Sequence, residues 1–234
     1  MLSIITPVLN GATFIEKNIQ SILSLNINFE HIIVDGGSTD ETLEILKKYP
    51  HLIVIHQKDK LGMYSAINEG FMLAKYEYIT WINADDIIIS DNFSNAVLNA
   101  KKNNYDFVYG NSLFNFTKLN KNQFIKANRF GKFFLNKYIL PFVQPSSFYK
   151  KEIYFLNPFN YQNFKIAGDL DFFNRLSTNK NIKFHYCNKT LSVFLKYGDS
   201  LGDKNKYLYN LEYKKLNSRK SPIYSLMYKL TRHL

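Results

Sequence analysis

Cysteine is almost absent from this sequence, because Cys187 is the only one among 234 residues. A single cysteine cannot form an intrachain disulfide, which is typical of a reducing compartment, and the sequence has no zinc-ligand spacing. No apolar run reaches the roughly 20 residues that a membrane-spanning helix needs. The first residues lack the basic start and apolar run of a signal peptide. We therefore expect a cytoplasmic protein, soluble or peripheral on the inner face of the cell membrane.

Acidic residues are also scarce. The chain has 19 Asp and Glu against 30 Lys and Arg, a net charge of +11. No acidic residue occurs from residue 107 to residue 151, and Glu212 is the only one after residue 204. This balance is typical of proteins that bind nucleic acid, an anionic membrane surface or anionic substrates, although a solvated basic surface explains it equally well. No nucleic-acid recognition motif accompanies the charge, so we expect no nucleic-acid partner.

The first half of the chain alternates short apolar runs with amphipathic segments, which predict buried strands and helices respectively. The predicted strands are residues 2–8, 31–34, 52–56, 78–82 and 107–109, and the predicted helices are residues 13–25, 38–49, 64–75 and 91–103. The first two helices each begin with the pattern of a capping box, at residues 13–16 and 38–41. Alternating strands and helices predict parallel pairing with right-handed crossovers.

The second half has a weaker pattern. Residues 114–138 are polar, basic and aromatic without a clear period, so we expect a loop-rich insertion or lid there. The remaining predicted strands are residues 142–149, 182–186 and 191–195, and the remaining predicted helices are residues 169–177, 207–216 and 223–234. The simplest division is one α/β domain over residues 1–202, followed by a basic helical tail over residues 203–234.

Polar side chains follow the predicted parallel strands, where ligands bind in such sheets. Asn10 follows the first strand, Asp35 ends the second, and Asn83, Asp85 and Asp86 follow the fourth. Two adjacent carboxylates repel each other, and a hard divalent cation such as Mg²⁺ or Mn²⁺ relieves that conflict. For each cluster, the alternative interpretation is an ordinary loop or helix start that contains the same residues.

Two further segments carry groups suited to chemistry. Residues 59–68 join the third strand to a helix, where backbone N–H groups can hold an anion. Residues 167–173 contain Asp169 and Asp171, whose side chains point in different directions if the segment is helical. One of them can act as a base in a cleft, and both can equally be N-terminal caps.

In this order and at these spacings, the motifs resemble those of the family 2 inverting glycosyltransferases over residues 2–200. The matching segments are Thr6-Pro7-Val8-Leu9-Asn10, the stretch from Asp35 to Asp40, the stretch from Gly62 to Asn68, the stretch from Asn83 to Asp86, and Gly168-Asp169. The resemblance implies an α/β GT-A fold, a Rossmann-like three-layer sandwich with a mostly parallel central sheet and, in this chain, a C-terminal helical tail.

The resemblance also implies roles for individual residues. Thr6, Pro7, Leu9 and Asn10 would line the nucleotide pocket. Asp35 would bind the base, commonly uracil, and Asp85 the ribose or donor sugar. Asp86 would bind Mn²⁺ or Mg²⁺, and Asp169 would be the catalytic base. The remaining donor-site residues would be Gly62, Tyr64, Asn68 and Asn83, and Gln144, Ser146 and Ser147 would lie near the acceptor.

This sequence departs from the family pattern at three positions, Gly36, Ser65 and Asn83, and Asn83 replaces the first Asp of the metal motif. It also lacks the Gln-x-x-Arg-Trp motif of processive synthases, which implies single sugar addition. The basic, apolar tail favours an anionic membrane surface and a lipid-diphosphate-linked glycan acceptor, as in O-antigen or capsule biosynthesis. The alternatives are a non-catalytic nucleotide-sugar or glycan-binding module, and a nucleotidyltransferase, whose Gly-rich phosphate loop is missing here.

Overall fold

The structure is a computed structural model, and it describes residues 1–198, 201–217 and 222–231. Within these residues the chain forms nine strands. They are β1 (Leu2–Val8), β2 (Phe29–Asp35), β3 (Leu52–His56), β4 (Tyr78–Trp81), β5 (Ile87–Ile88), β6 (Phe107–Phe116), β7 (Lys121–Ile125), β8 (Ser147–Lys150) and β9 (Phe184–Lys196). The first four lie where the apolar runs predict strands.

The strands form one mixed sheet with the order β3-β2-β1-β4-β8-β6-β9-β5, and β7 pairs with β6 at the side. The half built from β1 to β4 is parallel, as predicted, and Val8 of β1 pairs in register with Asp35 of β2. The other half is mixed, because β8 runs antiparallel to both β4 and β6, whereas β6 and β9 are parallel. The carboxyl ends of β1, β2 and β4 therefore meet at one edge of the sheet, and we call this edge the site edge.

Ten helices accompany the sheet in the described part of the chain. They are α1 (Ile15–Leu23), α2 (Thr42–Leu46), α3 (Met63–Leu73), α4 (Ser90–Asn103), α5 (Gly131–Leu135), α6 (Lys151–Phe155), α7 (Gly168–Thr178), α8 (Leu201–Lys204), α9 (Lys206–Asn217) and α10 (Pro222–Thr231). The predicted helices over residues 64–75, 91–103, 169–177 and 207–216 are confirmed within two residues at each end.

Helices cover both faces of the sheet, which confirms the predicted three-layer α/β architecture. On one face, α3 and α7 pack on apolar side chains such as Ile5, Trp81 and Phe107. On the other face, α1 and α4 pack on side chains such as Ile4 and Val108. Burial of this kind is the main stabilising contribution, at about 25 cal/mol per Å² of apolar surface. The two layers hold the site edge in place.

Both predicted capping boxes are wrong. The helices begin at Ile15 and Thr42, and neither N-cap residue has a side-chain cap hydrogen bond. Ser38 and Asp40 instead accept backbone N–H groups of Asn10 and Ala12, in the loop after β1. A polar side chain in a loop can bond to a neighbouring loop as well as to its own helix, so local spacing alone does not decide its partner.

The second half differs more from the prediction. Residues 114–138 are not a loop-rich lid, since β6 extends to Phe116, pairs with β7 in a hairpin, and is followed by α5. The strand predicted over residues 142–149 is limited to Ser147–Lys150, because a 3-10 turn containing Pro145 precedes it and proline has no N–H for a ladder. The two strands predicted over residues 182–195 are one strand, β9, with register shifts against β6.

The predicted division at residues 202 and 203 stays a prediction. Both described helices of the tail contact the preceding part of the chain, through Glu212 of α9 and through Tyr224 and Tyr228 of α10. The helix predicted over residues 223–234 begins at Pro222, and residues 232–234 lie outside the described residues. No helix within residues 1–198, 201–217 and 222–231 is long and apolar enough to cross a membrane.

Candidate active site

The loops after β1 and β2 are joined at the site edge. The backbone N–H of Asn10 donates to Ser38 Oγ at 2.9 Å, and the N–H of Thr39 donates back to Asn10 Oδ1 at 2.8 Å. The N–H of Ala12 donates to Asp40 Oδ2 at 3.0 Å. Asn10 has a left-handed backbone with φ of 53°, which asparagine tolerates better than most residues. The two loops thus form one connected surface.

Asp35 is fully buried at the end of β2. Its Oδ2 accepts the N–H of Gly37 at 2.9 Å, and its Oδ1 accepts the N–H of Ser38 at 3.1 Å. Burial by itself would raise the pKa of this carboxyl, but the hydrogen bonds from Ser38 and Gly37 hold the pKa below its usual value. Asp35 is therefore ionised at neutral pH and fixes the turn after β2.

A lysine lies directly over this turn. Gly37 has φ of +94°, and a Cβ at this position would approach Lys60 Nζ to 2.8 Å. This value of φ favours glycine, whereas the close approach alone does not require it, because Lys60 Nζ is at the end of a flexible side chain. Lys60 therefore brings a positive charge to the turn that Asp35 holds.

Asp86 is the most buried carboxylate after β4, with 1% of its surface exposed. Its Oδ2 accepts the Nδ2 group of Asn83 at 3.2 Å. Among the described residues, neither Asp86 Oδ1 nor Asn83 Oδ1 has a hydrogen-bond partner. Burial raises the pKa of Asp86 well above its usual value, and the neighbouring charge of Asp85 raises it further.

These oxygens fit a divalent cation. Mg²⁺ and Mn²⁺ prefer carboxylate and amide oxygens, and buried oxygens without a hydrogen-bond partner are the groups that a cation would satisfy. A positive charge would also offset the cost of keeping Asp86 ionised away from water. No cluster of three or more His, Cys, Asp and Glu side chains occurs in the described part of the chain, so most of a cation's ligands would have to come from elsewhere.

Two residues at the end of β9, Lys196 and Tyr197, lie near the same carboxylates. The hydroxyl of Tyr197 donates to Asp85 Oδ2 at 2.8 Å. Burial raises the pKa of Asp85, whereas this hydrogen bond and the charge of Lys196 lower it. The end of β9 therefore completes the surroundings of Asp85 and Asp86 from the opposite half of the sheet.

Thr6 and Pro7 are buried within β1, unlike the exposed Leu9 and Asn10 that follow it. The hydroxyl of Thr6 lies 2.9 Å from His31 Nε2 in β2. Burial lowers the pKa of His31 to about 3, so this imidazole is neutral. The side chain of Thr6 thus points into the interior, and only Leu9 and Asn10 of this motif reach the surface of the site edge.

Asp169 is partly buried at the start of α7 and lies against Tyr64 of α3. The hydroxyl of Tyr64 is 3.4 Å from Asp169 Oδ1 and accepts the N–H of Asp169 at 3.1 Å. Gly168 allows this contact, because a Cβ there would lie 2.6 Å from the Tyr64 ring. Burial raises the pKa of Asp169 to about 6. A carboxylate with this pKa accepts a proton more readily than an exposed aspartate and is still ionised at neutral pH.

Asp171 differs from Asp169 in its partner. Its Oδ2 accepts Arg175 Nε at 2.9 Å in an ion pair one turn along α7. The Arg175 guanidinium also donates to Pro158 O at 2.8 Å and lines a concavity of about 410 Å³ with Phe159 and Tyr161. Asp171 is thus engaged in holding α7 against residues 158–162, whereas Asp169 has no cationic side chain bonded to it in the described part of the chain.

Hydrogen bonds connect the two ends of the site. Gln57 donates its N–H to Asp35 O at 2.8 Å and its Nε2 group to Gly62 O at 3.1 Å. Gly62 immediately precedes α3, which carries Tyr64 in its first turn. Asp35 is therefore connected to Asp169 through Gln57, Gly62 and Tyr64.

Residues 3–161 of the chain match the family described as Glycosyl transferase family 2. This match covers more than half of the 234 residues. The chain belongs to glycosyl transferase family 2. It is 28% identical over 208 residues to the PGL/p-HBAD biosynthesis glycosyltransferase of Mycobacterium bovis. The aligned stretch covers 85% of this chain and 78% of that protein. It is 32% identical over 116 residues to glycosyltransferase GlyG of Streptococcus pneumoniae, covering 47% of this chain and 38% of GlyG.

Solved structures of other proteins share the fold of this chain. TarS of S. aureus, residues 1–349, superposes with a TM-score of 0.67 at 19% identity, over 99% of this chain and 71% of that one. TarS has also been solved in complex with UDP-GlcNAc. The mannosyltransferase PcManGT of Pyrobaculum calidifontis, in complex with GDP-Man and Mn²⁺, superposes with a TM-score of 0.66 at 18% identity, over 100% of this chain and 70% of that one. The predicted GT-A fold is thereby confirmed for this glycosyltransferase.

Two predicted residues of this glycosyltransferase have mainly internal partners. Asn68 accepts the hydroxyl of Tyr154 at 2.7 Å and donates its Nδ2 group to Phe159 O at 2.9 Å. Gln144 donates to Trp81 O at 2.7 Å behind the site edge. The predicted donor and acceptor roles of these residues stay predictions.

Sequence reasoning missed several residues that the fold of this glycosyltransferase brings to the site. They are Asn18, Lys60, Lys196, Tyr197 and Glu212. Asn18 of α1 donates to both Asn83 O and Asp86 O and so fixes the acidic loop. Lys60 belongs to the loop that the sequence indicates as a possible anion site, whereas the other four belong to segments that read as an ordinary helix or strand. An unexpected buried polar residue within an apolar face, as Asn18 is in α1, is the one signal that could have indicated such a role.

Proposed function

We propose that this glycosyltransferase transfers one sugar from a nucleotide-sugar donor to an acceptor hydroxyl by a single inverting displacement. As the donor we propose a UDP-sugar. Asp169 is the base of this reaction. The observation that carries the proposal is its carboxylate, partly buried against Tyr64 with a pKa of about 6. Tyr64 lies in the first turn of the helix that follows β3, on the side of the sheet where the half-buried Asp85 and the buried Asp86 follow β4.

The donor lies along the site edge in this proposal. Leu9 and Asn10 contact the nucleoside, and Asp35 holds the turn on which the base rests. Lys60 and Lys196 bring positive charge toward the diphosphate. Support comes from the hydrogen bonds that fix the loops after β1 and β2 to each other. A preorganised surface of this kind binds without first having to order its loops.

The chemical step follows from the position of Asp169, which takes the proton of the acceptor hydroxyl. The acceptor oxygen forms a bond to the anomeric carbon as its proton passes to Asp169, and the bond between that carbon and the diphosphate oxygen breaks on the opposite face. The nucleoside diphosphate leaves with the electron pair of the broken bond. Because a single displacement inverts the anomeric centre, an α-linked donor gives a β-linked product. A carboxylate in hydrogen-bond reach contributes about 10²- to 10⁴-fold to such a step.

Asp86 would hold Mn²⁺ or Mg²⁺ in this proposal, with Asp85 and the Asn83 amide oxygen nearby. When bound, a divalent cation neutralises charge on the leaving diphosphate. Asn18 and Tyr197 keep the acidic loop in one conformation through their hydrogen bonds to Asp86 O and Asp85 Oδ2.

A donor screen tests this function. We expect release of nucleoside diphosphate from one UDP-, GDP- or dTDP-sugar in the presence of Mn²⁺ or Mg²⁺, accelerated by an acceptor glycan. The product anomer, read by NMR coupling constants, is expected to be inverted. Binding of a donor without any turnover would instead favour the non-catalytic binding module, and release of inorganic pyrophosphate from a nucleoside triphosphate would favour the nucleotidyltransferase.

For the acceptor, we propose a lipid-diphosphate-linked glycan of surface polysaccharide, such as O-antigen or capsule, reached at an anionic membrane surface. Support comes from α10, which packs on α5 through Tyr224 and Tyr228. Leu226 and Leu230 lie on its other side and are 58% and 69% exposed. The exposed Phe130 and the adjacent Arg129 extend this surface with one apolar and one basic side chain. An apolar surface flanked by positive charge is typical of interfacial binding.

The membrane proposal is tested by liposome flotation. We expect the double variant Leu226→Ser with Leu230→Ser to reduce binding to phosphatidylglycerol vesicles about 30-fold, because each leucine contributes roughly 1 kcal/mol on insertion and about 1.4 kcal/mol is a factor of ten. Leu119→Ser changes a 72% exposed leucine outside α5 and α10 and is the control. Deletion of residues 220–234 is expected to abolish flotation. Equal flotation of all four proteins would exclude the tail as the membrane contact.

A further inference from the structure

Glu212 is a buried carboxylate in α9, with 3% of its surface exposed. Its Oε1 accepts the backbone N–H of Lys165 at 2.8 Å. Its Oε2 accepts the N–H of Ile166 at 2.9 Å and the N–H of Ala167 at 2.8 Å. A buried carboxylate with three N–H donors is strongly held in place, because hydrogen bonds to an ionised acceptor are about twice as strong as neutral ones.

The segment that Glu212 holds leads directly into the site. Ala167 immediately precedes Gly168, the first residue of α7, and Asp169 follows. Ile166 O lies 2.9 Å from the hydroxyl of Tyr64, the same hydroxyl that accepts the N–H of Asp169. The segment is thus fixed on one side by Glu212 and on the other by Tyr64. The negative charge also lies near the N-terminus of α7, where the helix dipole favours it.

We propose that Glu212 is a positioning residue: by accepting three consecutive backbone N–H groups ahead of α7, it holds Asp169 in the orientation in which it takes the acceptor proton. This inference rests on the proposed function, in which Asp169 is the base. It assigns a role in the chemistry to the basic tail, whose only acidic residue after position 204 is Glu212.

Electrostatics agree with this arrangement. The titratable groups that face Asp169 are Tyr64 of α3, and Tyr209 and Glu212 of α9. Burial is the largest cause of the raised pKa of Asp169, and the charge of Glu212 raises it further. Removing that charge therefore lowers the pKa of Asp169, and the rising limb of a pH–rate profile shifts to lower pH.

The test is Glu212→Gln, which keeps the shape of the side chain but replaces one acceptor oxygen with an amide group. We expect kcat to fall about 10- to 100-fold, since small misplacements of a reacting group cost this much. Donor affinity, measured by titration with the nucleoside diphosphate, is expected to stay within about twofold. Glu77→Gln is the matched control, because Glu77 is exposed just ahead of β4, at the opposite end of that strand.

Two NMR measurements test the role without relying on turnover. The carboxyl carbon of Asp169 is expected to titrate at lower pH in Glu212→Gln than in the unaltered chain. The amide protons of residues 165–167 are expected to exchange faster with solvent, while Glu77→Gln changes neither. If no donor supports turnover in the unaltered chain and both NMR effects appear, then the proposed function fails and the contact between Glu212 and the segment stands.

Two results would overturn the inference. One is a kcat for Glu212→Gln within twofold of the unaltered chain, with the rising limb in the same place. The other is a loss of donor affinity as large as the loss of kcat, because Glu212 would then support the whole cleft rather than Asp169. If Glu212→Gln unfolds, the same measurements on Tyr64→Phe, which weakens the other hold on the segment, decide between these outcomes.

Discussion

Asp169→Asn is expected to lower the rate of sugar transfer about 1,000-fold, while donor affinity stays within about twofold. The reason is that an amide cannot accept the acceptor proton, and a positioned base contributes 10²- to 10⁴-fold. The measurement is kcat with the donor that the screen identifies, together with calorimetric titration of the nucleoside diphosphate. In the unaltered chain, turnover should rise as pH increases through about 6, because the base works only when deprotonated.

Asp171→Asn is the control for this variant, since Asp171 lies two residues away on the same helix. Its carboxylate is paired with Arg175, so we expect some loss of thermal stability and a kcat within about threefold of the unaltered chain. The opposite pattern, in which Asp171→Asn stops transfer and Asp169→Asn does not, would assign the base to Asp171. Activity of both variants would remove the carboxylate mechanism altogether.

The second large effect is expected at Asp86. Asp86→Asn should reduce turnover about 100- to 1,000-fold, because neutralising charge on a leaving diphosphate is worth several kcal/mol and each 1.36 kcal/mol is a factor of ten. The variant should also lose the rise in melting temperature that Mn²⁺ with nucleoside diphosphate gives the unaltered chain. That second readout depends on binding alone.

Asp91→Asn is the matched control, because Asp91 is an exposed aspartate in the first turn of α4. We expect it to keep both the turnover and the stabilisation by Mn²⁺. Undiminished turnover of Asp86→Asn, or full activity of the unaltered chain after dialysis against EDTA, would contradict the assignment of Asp86 as the metal ligand.

The parallel half of the fold could be predicted from the sequence, because its strands are short apolar runs, fully buried in β1 and partly buried in the edge strand β3. Leu2–Val8 and Leu52–His56 lie where the pattern indicates. The other half, which mixes parallel and antiparallel pairs, could not. β7 is largely exposed and polar, so it has no apolar alternation, and Asn188 and Lys189 interrupt the apolar pattern of β9 although the strand continues past them.

In the candidate site, too, the sequence predicts some residues and not others. The sequence indicates four acidic residues, because each ends or follows a strand or lies at the start of a helix: Asp35, Asp85, Asp86 and Asp169. Their partners are not visible, since Tyr197 meets Asp85 across 112 residues and Tyr64 meets Asp169 across 105. Contacts between such distant positions depend on the packing of the whole sheet, which no local pattern records. Glu212 is the extreme case, because its segment reads only as a basic amphipathic tail.

The connected loops after β1 and β2 have a consequence for redesign. Asn10 forms hydrogen bonds with Ser38 and Thr39, and Asp40 forms one with Ala12, so the conformation of each loop depends on the other. A loop transplanted alone from a relative with another nucleotide preference would arrive without its counterpart and leave these groups unmatched. In the proposed function we therefore expect donor preference to depend jointly on residues 9–12 and 36–42, so that the two stretches would have to be exchanged together.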